Sequence, residues 1–323
     1  MKAIVYDKRA SPDGLRYAEI EKPTPAADEV LVRIHAASVN PIDYHLLRHP
    51  AMRRVVTLIT RQSASQPGRD IAGEVEAVGA DVTHFKPGDV VFGVAPGAFA
   101  EYACTKESKV AVKPAEISFE QAAAIPVAGL TALQGLRDVA NLTEGQSVLI
   151  NGAAGGIGTF AVQIAKHLGA EVTAICSTRN LEMVRELGAD RVIDYTQENY
   201  TRDGVQYDVV FDIAGNHSFA ERLGALKPNA TYVGAGMVAL ELSVPSLVVN
   251  MASDAIRKLF VSQKFPSFIA KVTPEDLARL ADLIRSGKVT PVIDRTYALP
   301  DTADAIRYLE QRHARGKVVI TMN

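Results

Sequence analysis

Gly152, Gly155, Gly156 and Gly158 stand together in the stretch Ser147 to Ala170, SVLINGAAGGIGTFAVQIAKHLGA. Glycines so placed let backbone N–H groups close on a phosphate. Val148, Leu149 and Ile150 before them form a short apolar run, the pattern of a buried parallel strand. Ile157, Ala161, Ile164 and Leu168 after them recur at spacings of three and four, the pattern of a helix that Gly169 stops. A strand, a glycine turn and a helix in that order predict a dinucleotide site with the pyrophosphate on the helix N-terminus. A tight turn without a ligand would also explain the glycines, so the rest of the chain must decide.

The end of the next strand bears on which dinucleotide. An NAD site places Asp or Glu about 20 residues beyond the glycines to bind the ribose hydroxyls. Here Glu171 to Cys176 runs into Ser177, Thr178, Arg179 and Asn180, with no acid. Two hydroxyls and a guanidinium suit a 2′-phosphate, which takes charge-assisted hydrogen bonds, so NADPH is predicted. The alternative for Arg179 is a solvated residue at a helix start.

Metal-binding residue types are scattered. Zinc wants three or four thiolate or imidazole ligands. The two cysteines, Cys104 and Cys176, lie far apart, and of seven histidines only His45 and His49 have a ligand-like spacing of four. Leu46 stands where a metalloprotease helix carries its glutamate, and Pro50 argues against a helix continuing. No metal is predicted. Two distant cysteines form no disulfide framework and fit a reducing cytoplasm. The first residues, MKAIVYDKRASPDG, lack the apolar core of a signal peptide, and no run approaches the ~20 apolar residues of a membrane span. A net charge of −2 gives no reason to expect nucleic acid or an acidic membrane as partner.

The elements that must carry these residues fall into two styles. Over the first ~115 residues short strand patterns (Lys2 to Tyr6, Glu29 to Ile34, Ile71 to Val78, Asp89 to Val94) alternate with Gly/Pro turns, which predicts a compact β-rich domain. His49 to Gln66 mixes arginines with apolar residues and is read as a loop or short helix beside a substrate cleft. From Ser118 the period becomes helical, over Phe119 to Ala128 and Gly129 to Val139. Strands at Glu171 to Cys176, Arg191 to Asp194, Tyr207 to Ile213, Ala230 to Gly234 and Lys258 to Val261 then alternate with short helices. With the strand before the glycines they predict a six-stranded, doubly wound parallel sheet. Amphipathic helices at Pro274 to Ser286 and Thr302 to Gln311 precede a last strand, Lys317 to Thr321.

Seven short motifs now carry a family resemblance. They are Ser38-Val39-Asn40-Pro41-Ile42-Asp43, Pro67-Gly68-Arg69-Asp70-Ile71-Ala72-Gly73, Lys86-Pro87-Gly88-Asp89-Val90-Val91, and Ala124-Ile125-Pro126 with Gly129-Leu130-Thr131-Ala132. The glycine stretch, Leu187-Gly188-Ala189-Asp190 with Ile193-Asp194-Tyr195, and His313-Ala314-Arg315-Gly316-Lys317 complete them. In this order they resemble the zinc-free medium-chain dehydrogenases/reductases of the quinone oxidoreductase type, and within these most of all the reticulon-interacting mitochondrial oxidoreductases and their bacterial relatives.

The resemblance implies an α/β protein: a GroES-like β-rich catalytic domain from both chain ends (1–117 and 263–323) and a Rossmann doubly wound parallel sheet between them (118–262). It places the active site in an interdomain cleft. It places Asn40 and Asp43, as catalytic candidates, near the nicotinamide and substrate; Tyr44 and His45, which follow them, either donate a proton or brace the loop after Val39. It implies a cofactor set of Thr131, Gly152, Ala154, Gly155, Gly156, Ile157, Gly158, Ser177, Thr178, Arg179, Tyr195 and Lys317. The zinc enzymes' Gly-His-Glu is Gly68-Arg69-Asp70 here, and no cysteine lies near Asn40. Without a metal to polarise an alcohol, acceptors that are already electron-poor need less help, so NADPH-dependent reduction of a quinone or an α,β-unsaturated carbonyl is expected. The alternatives are an enoyl-thioester reductase and an inactive NADPH-binding protein. A homodimer through the apolar stretches Val244 to Val249 and Lys258 to Val261 is also expected from relatives.

Overall fold

The computed structural model describes residues 1–6, 11–49, 66–235 and 261–322. The chain divides into two compact units, Met1–Leu130 with Lys271–Asn323, and Thr131–Ala270. In chain order the first unit contributes β1 (Lys2–Tyr6), β2 (Leu15–Glu19), β3 (Glu29–Val39), β4 (Asp70–Val78), β5 (Val90–Val94), β6 (Tyr102–Lys106) and β7 (Val110–Val112). The second contributes β8 (Ser147–Asn151), β9 (Glu171–Cys176), β10 (Arg191–Asp194), β11 (Tyr207–Asp212) and β12 (Leu226–Gly234). The chain then returns to the first unit with β13 (Ile293–Ala298) and β14 (Lys317–Thr321).

In the first unit β1 pairs with β2, and a seven-stranded sheet runs β13-β14-β3-β4-β5-β7 with β6 also on β3. The last strand has a neighbour on each side: β14 lies antiparallel to β3 and parallel to β13. Alternating residues of β3 and β4, among them Val30, Val32, Ile34, Ile71 and Val75, point into a core shared with Phe99, Leu299 and Ile306.

The second unit is a parallel sheet in the order β10-β9-β8-β11-β12. Its strands read as apolar runs because helices cover such sheets, and Leu149, Ile175 and Val210 are buried in its core. Five strands are present among the described residues. Lys258 to Val261, expected as the sixth, lies outside them except for Val261, as do Val244 to Val249 and nearly all of His49 to Gln66. Thr231 does form one parallel bridge to Lys264 beyond β12.

Several expectations need correction. The helix expected over Phe119 to Ala128 is two helices, Phe119–Ala123 and Pro126–Gln134, because Pro126 has no N–H to continue the first. Gly135–Val139 is a π turn rather than more α-helix. Both unit boundaries fall later than expected. The helix Phe119–Ala123 packs on β3 and β4 and so belongs to the first unit. Lys264 and Phe265 belong to the second, Phe265 lying against the core around Tyr232. Strands β2, β6, β7 and β13 carry no apolar run long enough to mark them. In β13, IDRTYA, no residue is fully buried.

Candidate functional site

In the second unit, β8 delivers its C-terminal end where the sheet order turns from β9 on one side to β11 on the other, the switch point of such sheets. The turn begins at Gly152, whose φ of +87° suits glycine. The Ala153 N–H donates to the Ile175 carbonyl at 3.0 Å and ties the turn to β9. Gly158 lets the helix Gly156–His167 lie against the turn: a Cβ there would stand 2.2 Å from the Gly152 carbonyl oxygen.

Gly155 differs. Its φ of −83° and ψ of 178° are extended backbone open to any residue, and an added Cβ would meet only the Gly152 carbonyl oxygen at 3.5 Å. The chain's own packing does not require glycine there. Gly155 is the N-cap and has no side chain to accept a hydrogen bond, so the N–H groups of Gly156, Ile157 and Gly158 have no intrahelical partner. These donors, and the helix's partial positive charge, are what a pyrophosphate needs. Gly156 itself is helical without a positive φ. Ala154 is buried and Ile157 half-buried in this turn, and Thr131 is half-buried on the helix Pro126–Gln134.

A buried polar network fixes the neighbouring strand ends. Asn151 Nδ2 donates to Asp212 Oδ1 at 2.9 Å and to Asn216 Oδ1 at 3.0 Å, and the Gly215 N–H donates to Asp212 Oδ1 at 2.8 Å. Tyr232 donates its hydroxyl proton to Asp212 Oδ2 at 2.6 Å. Burial, with the Asp212 charge next, pushes the Tyr232 phenol up, so it stays a donor. Asp212 thus joins β8, β11, β12 and the loop after β11. Sequence reasoning passed over it, although an acid ending the apolar run YDVVFD is the kind of signal that marks such a site.

Beyond β9 lie Ser177, Thr178 and Arg179, the last two exposed. Tyr195, 58% exposed, is held nearby by its N–H on the Cys176 carbonyl at 3.1 Å. β9 carries no acid at its end, but the register of β10 sets Asp194 opposite Cys176 and so supplies one from the next strand. Thr178 Oγ1 donates to Asp194 Oδ2 at 2.6 Å, while Asp194 Oδ1 accepts from the Thr196 N–H and hydroxyl at 3.0 and 2.8 Å. The Thr178 hydroxyl, then the Thr196 donors, hold the Asp194 carboxyl below its usual range. Of the two hydroxyls expected at a phosphate, Thr178 has therefore spent its proton on an acid.

In the first unit, register gathers the other candidates. Val39 opposite Val318 and Ser38 opposite Asp70 bring the start of β14 and the start of β4 to the end of β3. There Asn40 caps the helix Pro41–Arg48, with Pro41 fitting the first helical position. The Asn40 N–H donates to Asp43 Oδ2 at 2.8 Å. Asp70 Oδ2 accepts from Ser38 Oγ at 2.8 Å, Asn40 Nδ2 at 2.9 Å and Lys317 Nζ at 3.3 Å, and Asp70 Oδ1 accepts from the Val127 N–H at 3.1 Å. Lys317 Nζ donates also to Asn40 Oδ1 at 2.7 Å and the Val39 carbonyl at 3.4 Å.

Asn40 is 2%, Asp70 0% and Lys317 3% exposed. Asn40 and Asp43, expected beside the substrate, thus hold the start of a helix from inside the unit. Lys317, expected at the cofactor, lies in this buried cluster. Burial raises the Asp43 carboxyl to about 6, against the opposing hydrogen bond from the Asn40 backbone. Tyr44 is half-buried, and burial raises its phenol. His45 is buried, its ring 4.4 Å from that of Tyr44.

Among the described residues, no three His, Cys, Asp or Glu side chains converge as metal ligands. The oxygens of Val39, Asn40 and Asp70 surround the Lys317 ammonium.

Comparison with known proteins adds to this geometry. Residues 26–115 match the alcohol dehydrogenase GroES-like domain, and residues 187–320 match a family model described as zinc-binding dehydrogenase. The chain is 32% identical to the mitochondrial NAD(P)H oxidoreductase RTN4IP1 of Mus musculus, over 100% of this chain and 89% of that one. It is 36% identical to a chloroplastic quinone-oxidoreductase homolog of Spinacia oleracea, over 95% and 94%. Among solved structures, the quinone oxidoreductase of Coxiella burnetii superposes with a TM-score of 0.87 at 30% identity, over 100% and 99% of the two chains. The Escherichia coli quinone oxidoreductase, solved with NADPH, gives 0.83 at 28% identity over 99% and 100%.

Proposed function

The chain belongs to the medium-chain dehydrogenase/reductase family, quinone oxidoreductase type, and from that premise we propose that it is an NADPH-dependent reductase of quinones or α,β-unsaturated carbonyls that works without a metal. As an NAD(P)H-dependent oxidoreductase it needs a dinucleotide site. The observation that carries this reading is the turn at Gly155, where glycine answers no packing need and unpartnered helix N–H groups follow.

In this reading Gly152 and Gly158 shape the turn, and Gly155, Gly156, Ala154 and Ile157 line the pyrophosphate. Ser177 and Arg179 meet the 2′-phosphate. Tyr195 offers an exposed ring beside them, and Thr131 takes the nicotinamide side. NADPH, when bound, supplies a hydride. Asn40, Asp43, Ser38, Asp70 and Lys317 act on the substrate side indirectly, by fixing the helix that carries Tyr44. The Tyr44 hydroxyl keeps its proton at neutral pH and is the donor proposed for the reduced product, with solvent as its competitor.

The metal-free part rests on Gly68-Arg69-Asp70, which lacks the histidine of the zinc enzymes' Gly-His-Glu, and on the buried Asp70 carboxylate, which the Lys317 ammonium already neutralises. Free thiols at Cys104 and Cys176 fit a reducing compartment such as the cytoplasm, and no helix among the described residues is long and apolar enough to cross a membrane. A homodimer completes the proposal, and sedimentation tests it. The function itself is tested by NADPH oxidation with benzoquinone, naphthoquinone and an enone after dialysis against a chelator. Turnover is expected to survive dialysis. Loss of turnover that only added zinc restores would refute the metal-free reading, and NADPH that binds without oxidation by any acceptor would refute the enzyme.

A further inference from the structure

We propose that Asn180 is a positioning residue for cofactor choice: it fixes Ser177 as the hydroxyl that reads the 2′-phosphate, while Asp194 withdraws Thr178 from that task. The proposal rests on the NADPH reading above and says how that preference is built.

Asn180 ends the 3-10 turn Thr178–Asn180 and leads into the helix Leu181–Glu186 with φ −111° and ψ 0°, helical backbone rather than the extended backbone of a capping residue, and its side chain bonds none of the helix N–H groups. The amide turns back instead, and Nδ2 donates to Ser177 Oγ at 3.1 Å, while the Asn180 N–H donates to the Ser177 carbonyl at 2.9 Å. Asn180 is 5% exposed, and its Oδ1 is buried without a partner. The side chain's hydrogen bond is therefore the one to Ser177.

The direction of that contact matters. A hydroxyl has one proton and two lone pairs. Ser177 Oγ receives the amide N–H on a lone pair, which leaves its proton to donate outward, and an anionic phosphate only accepts hydrogen bonds. Thr178 is the reverse case, its proton pinned on Asp194 Oδ2 at 2.6 Å with the Thr196 hydroxyl 3.0 Å away. Adjacent hydroxyls are sorted into one outward donor and one inward donor. The sorting follows from the parallel register that brings Asp194 level with Cys176.

The test is a double-mutant cycle read by titrating NADPH and NADH on the same samples, with NADH binding as the control for an intact fold. Ser177→Ala is expected to weaken NADPH by about 10-fold or more and leave NADH unchanged. Asn180→Ala is expected to weaken NADPH by a comparable factor, and to add nothing in the Ser177→Ala background, because both remove one interaction. Thr178→Val should keep the NADPH:NADH ratio within about 2-fold while lowering the melting temperature. If Thr178→Val collapses the ratio and Ser177→Ala does not, or if Asn180→Ala and Ser177→Ala losses multiply, the assignment is wrong although the cofactor reading survives. An unsubstituted protein that binds NADH as well as NADPH overturns the cofactor reading and this inference together.

Discussion

Lys317 Nζ lies 2.7 Å from Asn40 Oδ1, a contact that joins the last strand of the chain to the turn before the helix Pro41–Arg48. Asp70, fully buried, supplies the opposite charge. Taking charges out of water is costly, and removing one partner leaves the other uncompensated. Lys317→Met should destabilise the fold by about 3–5 kcal/mol in urea denaturation. Adding Asp70→Asn should recover a large part of that loss. Equal stability of Lys317→Met and the unsubstituted protein would show that the pair is not coupled.

Asp43 predicts a pH dependence. Its carboxyl titrates near 6 in the fold because it is buried, against an ordinary value of 3.8. Between those values the folded state binds the extra proton, so stability falls as pH rises from about 4 to about 6 and then levels off. Asp43→Asn can still accept from the Asn40 N–H but cannot ionise. Its stability curve should lose this slope, which denaturant midpoints from pH 4 to 7 would report. An unchanged slope would assign the titration to another group.

The glycines of the turn should separate by role. Gly158→Ala places a Cβ 2.2 Å from a carbonyl oxygen and should lower the melting temperature. Gly156→Asp should leave melting unchanged or slightly higher, since a carboxylate at a helix N-terminus is favourable by roughly 0.3–1 kcal/mol. The same carboxylate would repel the pyrophosphate and abolish NADPH binding. A folded Gly156→Asp protein with full NADPH affinity would reduce this stretch to a turn.

The strand–turn–helix and the parallel sheet were legible because apolar runs, glycine clusters and helical spacing are local signals. What stayed hidden depends on register between distant segments. Nothing near Lys317 in sequence announces Asn40, and the acid beside Thr178 comes from β10, so a search along β9 could only find it missing. Asp70 stood inside a recognised motif, yet its partners become visible only once β3, β4 and β14 are aligned.

Arg179 carries the charge expected to separate the two cofactors. A charged hydrogen bond is worth roughly 1.5–3 kcal/mol. Arg179→Ala should therefore weaken NADPH by about one to two orders of magnitude and spare NADH. Equal losses for both cofactors in parallel titrations would remove Arg179 from the 2′-phosphate.

The central claim is hydride transfer from NADPH to an electron-poor acceptor, and isotope transfer tests it most directly. NADPH carrying deuterium at the transferred C4 position is mixed with enzyme and an enone in ordinary water, and the product is examined by mass spectrometry and NMR. One deuterium on the β-carbon of the saturated product, with none at that carbon when solvent alone is labelled, is the result expected. Reduced product without deuterium at the β-carbon, or no reduction of any enone or quinone, would contradict the account.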